Sequence, residues 1–386
     1  MGTTYPNPIT SYDLTVETPV NIDELIKLLN FEDLPMLGGV NSDGMPTIPK
    51  APVDNRVFYW LEEDMPVPRS TVLTALATTV TTLVLASGGG ASFAAGDAVR
   101  INDEVLFISA VSGDSLTVSR GDAGTSDPGV NHATLTDVVG LGTVLAEGSI
   151  GDQQFRGRDK YSNYTQIFSS KIQITRTEQG VPKYGIPSEL ARQVRATMLS
   201  EGINKEQAFL YGVKYDDGAA IRSTGGLTAF ITTNVESGSV NFLTLGEVEE
   251  KQQTAYDAGG MFTSIVSRPS NFVALNNSAG AERIQTVTID DPVRGRRRAQ
   301  SVITEFGETE LVRNRHARAT DAFGINREDI IERVFQPMIM QPLAKTDDKD
   351  NYMFVCESGF EVKGQSHMVR WSTLDATQTF PSTGLV

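Results

Sequence analysis

Apolar residues along most of this chain fall in short alternating runs, and only a few stretches carry the three-and-four spacing of an amphipathic helix. Alternation is most regular between residues 70 and 148. There Thr81–Leu85, Ala98–Ile101, Val105–Val111 and Ser115–Ser119 are separated by Gly88–Gly90, Asn102–Asp103 and Gly113–Asp114. Short strands punctuated by Gly, Asn and Asp turns predict a small antiparallel β module. Helical spacing is clearest after Pro187, where Leu190, Val194, Met198, Leu199, Phe209 and Leu210 predict one long helix to Tyr211, with Gly212 as its stop. Such a helix spans roughly 39 Å, and Gly202 near its middle predicts a kink or break.

Two capping boxes mark further helices. Asn21 with Glu24 precedes the stripe Ile22, Leu25, Ile26 and Leu29; Thr244 with Glu247 opens a helix to about Ala258. Met261–Ser267 reads as a buried strand and Asn271–Thr286 as helix. Ser301–Phe306 and Thr309–Asn314 read as a hairpin turning at Gly307–Glu308, and Ile330–Met340 as extended. The runs Asn351–Glu357, Phe360–Gln365 and His367–Ser372 read as a β-meander. The predicted class is α+β.

Charge divides the chain. Its 386 residues carry 48 acidic and 33 basic side chains, a net of −15, which argues against a protein that holds nucleic acid by overall charge. Residues 1–66 hold eleven acidic against three basic residues; with prolines at 35, 46, 49 and 52 they read as an extended acidic arm lying along another surface, its own chain's or a neighbour's. Between Gly151 and Arg222 the balance turns to +3. Within it Arg156, Arg158, Lys160, Lys171 and Arg176 alternate with Tyr161, Tyr164, Ile167, Phe168, Ile172 and Ile174, predicting a basic, aromatic hairpin or loop over Phe155–Glu178. Lone Cys356 excludes an intramolecular disulfide framework. No apolar run approaches the roughly 20 residues of a membrane span, and the first ten residues lack a signal-peptide pattern. The expectation is a soluble, multi-domain protein made in a reducing cytoplasm.

Catalytic signatures are missing. His132, His316 and His367 are far apart and outside metal-ligand spacings, and Cys356 sits in an apolar run as a small buried hydrophobe. Neither a G-x-S-x-G elbow nor a Walker A sequence occurs. Gly225–Gly226 reads as a tight turn, with a backbone anion nest as the other option. Asp216–Asp217 and Asp290–Asp291 read as surface-loop dipeptides, and Asp347, Asp348 and Asp350 lack the glycine and terminal glutamate of an EF-hand. Arg294, Arg296, Arg297 and Arg298 around Gly295 form the sharpest charge cluster, read as a loop that contacts another subunit or faces DNA. No enzyme activity, cofactor or metal is expected.

A resemblance organises these pieces. Arg158-Asp-Lys-Tyr-Ser-Asn-Tyr-Thr-Gln-Ile-Phe leads into Lys171-Ile-Gln-Ile-Thr-Arg-Thr, then the helix from Glu189-Leu-Ala-Arg-Gln to Glu206-Gln-Ala-Phe-Leu-Tyr-Gly. Thr304-Glu-Phe-Gly, Asn314-Arg and Leu343-Ala-Lys-Thr-Asp-Asp follow. This ordered set resembles the major capsid proteins of tailed bacteriophages, the SU ten-type branch of the Hong Kong 97-like fold. The resemblance implies an N-terminal arm (1–66), an inserted β module (67–148), an extended loop (149–180), a spine helix with peripheral domain (181–224), an axial domain (225–335) and C-terminal strands returning to the peripheral domain (336–386). It implies self-assembly through hexamers and pentamers into an icosahedral or prolate shell around double-stranded DNA, without sequence-specific binding. Scaffolding, portal and possible decoration proteins are the implied partners; the implied location is the virion, after assembly in the host cytoplasm. Arg156, Arg158, Lys160, Tyr161, Tyr164, Lys171 and Arg176 are then the expected inter-subunit contacts of the loop. The Thr- and Gly-rich module keeps a second reading open, a tail or baseplate adhesin.

Overall fold

The computed structural model describes residues 34–37, 48–63, 68–121, 131–145, 147–148, 158–181, 188–237, 242–278, 284–291, 295–345 and 347–375. Two compact units emerge. One comprises residues 1–59 with 162–386, the other 60–161. The predicted helix at Asn21–Leu29 lies outside the described residues.

The second unit is a six-stranded antiparallel sheet, in the order Arg69–Thr71, Asp137–Thr143, Asp97–Ile101, Glu104–Ser112, Ser115–Ser119, Thr82–Val84. Two-residue turns at Asn102–Asp103 and Gly113–Asp114 set its hairpin registers, pairing Ile101 with Glu104 and Ser112 with Ser115. Asn102 (φ 52°) and Gly113 (φ 59°) supply the left-handed backbone. The first and last strands also meet. Leu73 N–H donates to the Val84 carbonyl and Ala86 N–H to that of Thr71, so the sheet curls closed around Leu83, Leu85, Val99, Ile101, Leu106 and Leu116. Closure removes the exposed edges that an isolated sheet would carry.

Beneath one end of this sheet sits a buried ion cluster. Glu104 accepts from Arg120 (3.0 and 2.7 Å) and lies 2.7 Å from His132 Nε2. His132 also exchanges backbone hydrogen bonds with Leu76, so the imidazole has a structural role tying a loop to the sheet. Burial opposes ionisation of Glu104, but the hydrogen bonds from Arg120 and His132 outweigh it and hold the carboxyl below its usual range.

The first unit holds two larger sheets. The four-stranded sheet has the order Lys50–Pro52, Ile330–Pro342, Lys349–Val362, Gln166–Thr175, with the first pair parallel and the others antiparallel. Register shifts between Val334 and Ile339 fall where Pro337 cannot donate to the ladder. Helix α1 (Arg176–Gly180) follows, capped by the Thr175 hydroxyl, which accepts from Glu178 N–H. Helix α2 (Glu189–Tyr211) then packs Leu190 and Val194 against Ile172, Ile174 and Phe354 of this sheet.

Helix α2 runs unbroken through Gly202. A Cβ there would stand 2.6 Å from Leu34, so the glycine admits an arm residue and makes no kink. The helix ends at Gly212, whose N–H donates to the Ala208 carbonyl. Gly226 N–H donates to the Gly212 carbonyl, and a Cβ on Gly226 would meet the Ala208 and Phe209 carbonyls at 2.4 Å. Gly225–Gly226 therefore serves close backbone approach, and its amides are not gathered for an anion.

The seven-stranded sheet has the order Val235–Glu236, Val369–Trp371, Ala322–Ile325, Ser264–Ser267, Gly307–Arg313, Gly295–Thr304, Ile284–Asp291. After α3 (Leu227–Phe230), helices α4 (Leu245–Asp257) and α5 (Pro269–Ser278) contribute Leu245, Val248, Phe272 and Leu275 to its core with Phe262 and Trp371. Buried Gln252 of α4 links Thr304 and Thr309 through its amide.

Several sequence expectations are corrected here. The helix expected over Asn271–Thr286 stops at Ser278, and the β-branched run after Ile284 forms a strand. The hairpin expected to turn at Gly307–Glu308 turns at Glu305–Phe306, because Thr304 pairs with Gly307. Among the described residues of the expected Phe155–Glu178 loop, 158–178 do not fold as one hairpin or loop. Asp159–Tyr164 pairs with Val57–Glu62, while Gln166–Thr175 pairs with Lys349–Val362. The C-terminal meander is one fourteen-residue strand in the four-stranded sheet, followed by Val369–Trp371 in the seven-stranded one.

The Glu104 cluster makes the module acid-sensitive in a defined direction. Because the folded carboxyl titrates below its unfolded value, its stabilisation is complete above the unfolded carboxylate range and is lost as pH falls through the folded value. Glu104→Gln leaves Arg120 without its anion and is expected to cost about 3 kcal/mol. Thermal melts of the full chain across pH 3 to 7 should show a lower, flatter transition for the variant.

Candidate assembly surfaces

The acidic arm answers its own question about where it lies. Its described residues are held by this same chain. Glu206, on the same helical face as Phe209 and Leu210, is fully buried and accepts from Met36 N–H (3.1 Å), Leu37 N–H (3.2 Å) and Asn314 Nδ2 (2.8 Å). Met36, Leu37 and Ile48 join the core around Phe209 and Phe360. Further along, Lys50–Pro52 runs parallel to Glu332–Val334. Glu332, also fully buried, is paired with Lys50 (3.4 Å) and with Lys205 of α2. A buried carboxylate without partners is costly, so each of these two acids ties arm, helix and sheet together.

A second hub holds the far end of the Asp159–Tyr164 strand. Asn163 is completely buried, and its amide donates to Thr224 Oγ1, the Gly225 carbonyl and the Phe360 carbonyl. Its carbonyl oxygen accepts from Tyr164 and Gly225 N–H groups. Nearby, Glu357 takes Arg222 and Thr165, placing another ion pair under the start of the Gln166–Thr175 strand.

The expected contact residues separate on this framework. Arg158 forms an exposed pair with Glu63 at 3.2 Å, and Arg176 pairs with Asp348 at 3.1 Å while its N–H donates to the Asp348 carbonyl. Tyr161 stacks on Trp60, ring centroids 6.1 Å apart, and the Lys214 ammonium lies 5.9 Å from the Tyr164 ring. Lys160 and Lys171 are exposed. Lys171 stands on the strand bordering a groove with Glu178, Glu189 and Gln193 of the two adjacent helices. Arg156 and Arg294 lie outside the described residues. Arg296, Arg297 and Arg298 do not sit in a loop. They open the Gly295–Thr304 strand, at register positions opposite Asp290, Ile289 and Thr288.

Sequence reasoning did not single out Glu206, Glu332 or Asn163. For Glu206 a signal existed: a carboxylate three and four positions before Phe209 and Leu210, on the face the helix buries. Burial pushes the Cys356 thiol up, as suits an inert core residue. Among the described residues no cluster of His, Cys, Asp and Glu could hold a metal ion, and no helix is long and apolar enough to cross a membrane.

Glu206→Leu strands two arm N–H groups and the Asn314 amide. Trypsin cleavage after Lys50 in the folded chain is expected to accelerate about ten-fold or more. Cleavage at the parent rate would mean that other contacts hold the arm.

Comparison with known proteins places this architecture. A chain of Gordonia phage Cozz superposes with a TM-score of 0.52 over 97% of this chain and 98% of its own, at 9% identity. A chain of Microbacterium phage Oxtober96 does so with a TM-score of 0.51 over 96% and 100%, again at 9% identity. At such identities the likeness is one of fold, the Hong Kong 97-like fold of phage capsids. No curated protein matches the chain. The family model of the SU10 major capsid protein matches residues 8–375, and nothing in these likenesses supports a tail or baseplate protein. With its arm, long helix and two sheets matched nearly from end to end, this chain belongs to the SU10 major capsid protein family.

Proposed function

We propose that this major capsid protein builds the head shell of a tailed bacteriophage around double-stranded DNA, through hexamers and pentamers of itself. Membership of the capsid family over residues 8–375 carries the reading. Within it, residues 1–66 act as the arm, 67–148 as an inserted module, 149–180 as the extended loop, and 181–224 as spine helix and peripheral domain. Residues 225–335 act as the axial domain, and 336–386 supply the returning strands, with Val369–Trp371 contributed to the axial sheet. The chain works without enzymatic activity. Assembly takes place in the host cytoplasm with a scaffolding protein and a portal, and a decoration protein on the finished surface.

Contacts between copies are numerous and individually weak, as suits a shell built from exposed charged groups. Arg158, Lys160, Tyr161, Tyr164, Lys171 and Arg176 present the basic side of these contacts, with Arg156 beside them in sequence. The acidic side is the arm, at net −8, and the inserted module, at net −5. Arg294, Arg296, Arg297 and Arg298 meet acidic groups of a neighbour or face the packaged DNA. The net charge of −15 suits a container, since an acidic lining does not grip DNA moving past it.

Negative-stain electron microscopy of the purified chain tests the reading, with shells or capsomers expected; fibres or compact trimers would contradict it. Reversal of Arg158 and Lys160 to Glu sharpens the test. The Arg158–Glu63 pair is exposed on both sides and contributes at most about 1 kcal/mol to the fold. Particle yield should therefore fall severalfold while the melting temperature stays near that of the parent. An unchanged yield removes these two residues from the assembly contacts.

A further inference from the structure

The chain that leaves helix α2 returns on itself as a short hairpin, Tyr215–Asp216 with Arg222–Ser223. Tyr215 stands opposite Ser223 and Asp216 opposite Arg222, so alternation places Val213, Tyr215 and Ile221 on one face and Arg222 on the other. The Arg222 face is fastened to the body. Its guanidinium donates to the Thr165 carbonyl (2.9 Å) and pairs with Glu357. The tip is fastened too. One Asp217 oxygen accepts from the N–H groups of Ala219 (2.8 Å), Ala220 (2.8 Å) and Ile221 (3.0 Å), and Gly218 turns at φ 76°. Yet Val213, Tyr215 and Ile221 are 66%, 53% and 67% exposed. A hairpin held this firmly while its apolar face stays bare is shaped for a partner, since the fold gains nothing from leaving three such side chains in water.

We propose that this face docks on the outer face of the Gln166–Thr175 strand of a second copy, head to tail around a ring. The proposal rests on the reading of the chain as a shell subunit and names the patches that meet. Three observations select the occupant. The first is character. That strand buries Phe168, Ile172 and Ile174 and turns Ile167, Ser169 and Lys171 to solvent, Ile167 being 52% exposed. The second is charge. Among the described residues Lys171 has no acidic partner, and Asp216 and Asp217 have no cationic one, within ion-pair distance. The backbone N–H of Ala219, with those of Ala220 and Ile221, holds the Asp217 carboxyl below its usual range, so the acid stays charged. The third is spacing. Four residues separate Ile167 from Lys171 and Val213 from Asp217, about 13 Å in each case for extended backbone. With Lys171 at Asp217, Ile167 meets Val213, and the small Ser169 leaves room for the Tyr215 ring.

The two patches differ, so each copy turns its hairpin toward one neighbour and its strand toward the other. Such a heterologous contact closes into a ring when the rotation allows, as hexamers and pentamers require. It gives Lys171 a specific acceptor and gives the Asp216–Asp217 dipeptide a use.

Cysteine crosslinking of the full-length chain, with electron microscopy of the same sample, provides the test. Chains carrying Ser169→Cys alone are co-assembled with chains carrying Tyr215→Cys alone and treated with a short bismaleimide. Covalent dimers are expected, with the 169–215 peptide pair found by mass spectrometry. Buried Cys356 stays unreacted and serves as the internal reference. The double variant should give a ladder on a denaturing gel that ends at the size of one ring. Thr175→Cys in place of Ser169→Cys moves the thiol about 20 Å along the strand and should link about ten-fold less. Asp217→Asn keeps an oxygen for the three N–H groups and removes the charge, so the dimer yield should fall about two- to five-fold. Shells or capsomers without the 169–215 link overturn this contact and leave the shell reading standing. If neither shells nor capsomers form, the shell reading fails, and the link is still read on the same sample: its presence keeps the contact and its absence overturns it. Dimers of Tyr215→Cys alone would assign the hairpin to a two-fold contact, and a 169–215 link confined to monomer mass would put both patches in one chain. Either result overturns the proposal, as does equal linking at 169 and 175 or an unchanged yield for Asp217→Asn.

Discussion

A carboxylate that leaves water must find donors, and the first unit is organised around that constraint at Glu206. Its oxygens take the N–H groups of Met36 and Leu37 and the amide of Asn314, three partners from segments far apart in the chain. Desolvating the acid without them would cost several kcal/mol, so the arm, the C-terminal half of α2 and the Asn314 turn are either assembled together or not at all. Glu332 repeats the device one layer away, joining Lys50 of the arm to Lys205 of the same helix. Apolar packing then follows, with Met36, Leu37 and Ile48 closing over Phe209 and Phe360.

This arrangement has consequences for a shell subunit. At Met36–Leu37 and Lys50–Pro52 the arm is ordered within its own chain, so these residues carry no further ordering cost if the subunit associates. The exposed ion pairs of Arg158 and Arg176 are of a different kind. They stabilise little, because both partners of each pair stand largely in solvent. Buried ion pairs inside the subunit hold its segments together, and the exposed ones on its surface add little to the fold.

Much of the fold was legible locally. Alternation and turn residues located four of the six strands of the inserted module, including both two-residue turns. Pro187, the apolar spacing and Gly212 located α2, and the Thr244–Glu247 capping box located α4, each start falling within two residues of the observed one. The missed strands, Arg69–Thr71 and Asp137–Thr143, are short or interrupted by Gly140 and Gly142, so their pattern is weak and only pairing to neighbours makes them strands. The arginines at 296–298 looked like a loop because charge dominates there, and their ladder to Ile284–Asp291 is invisible to periodicity. Gly202 and Gly226 likewise read as a breaker and a turn. What they do is admit Leu34 and bring two backbones together, and neither contact can be inferred from neighbours in sequence.

By itself the sequence determined the α+β class, an antiparallel set of short strands between two regions of other character, the long helix, the distribution of charge and, through an ordered set of motifs, the family. These depend on periodicity, capping and composition, which act over a few residues. Only the tertiary structure decided that the basic segment is split between two sheets, that the C-terminal strands part company, and that the arm is anchored on its own subunit. Those outcomes depend on partners more than a hundred residues apart: Gln166–Thr175 with Lys349–Val362, and Glu206 with Met36. Strand pairing and the satisfaction of a buried charge are settled by which distant groups can be satisfied together, and no local pattern encodes that choice.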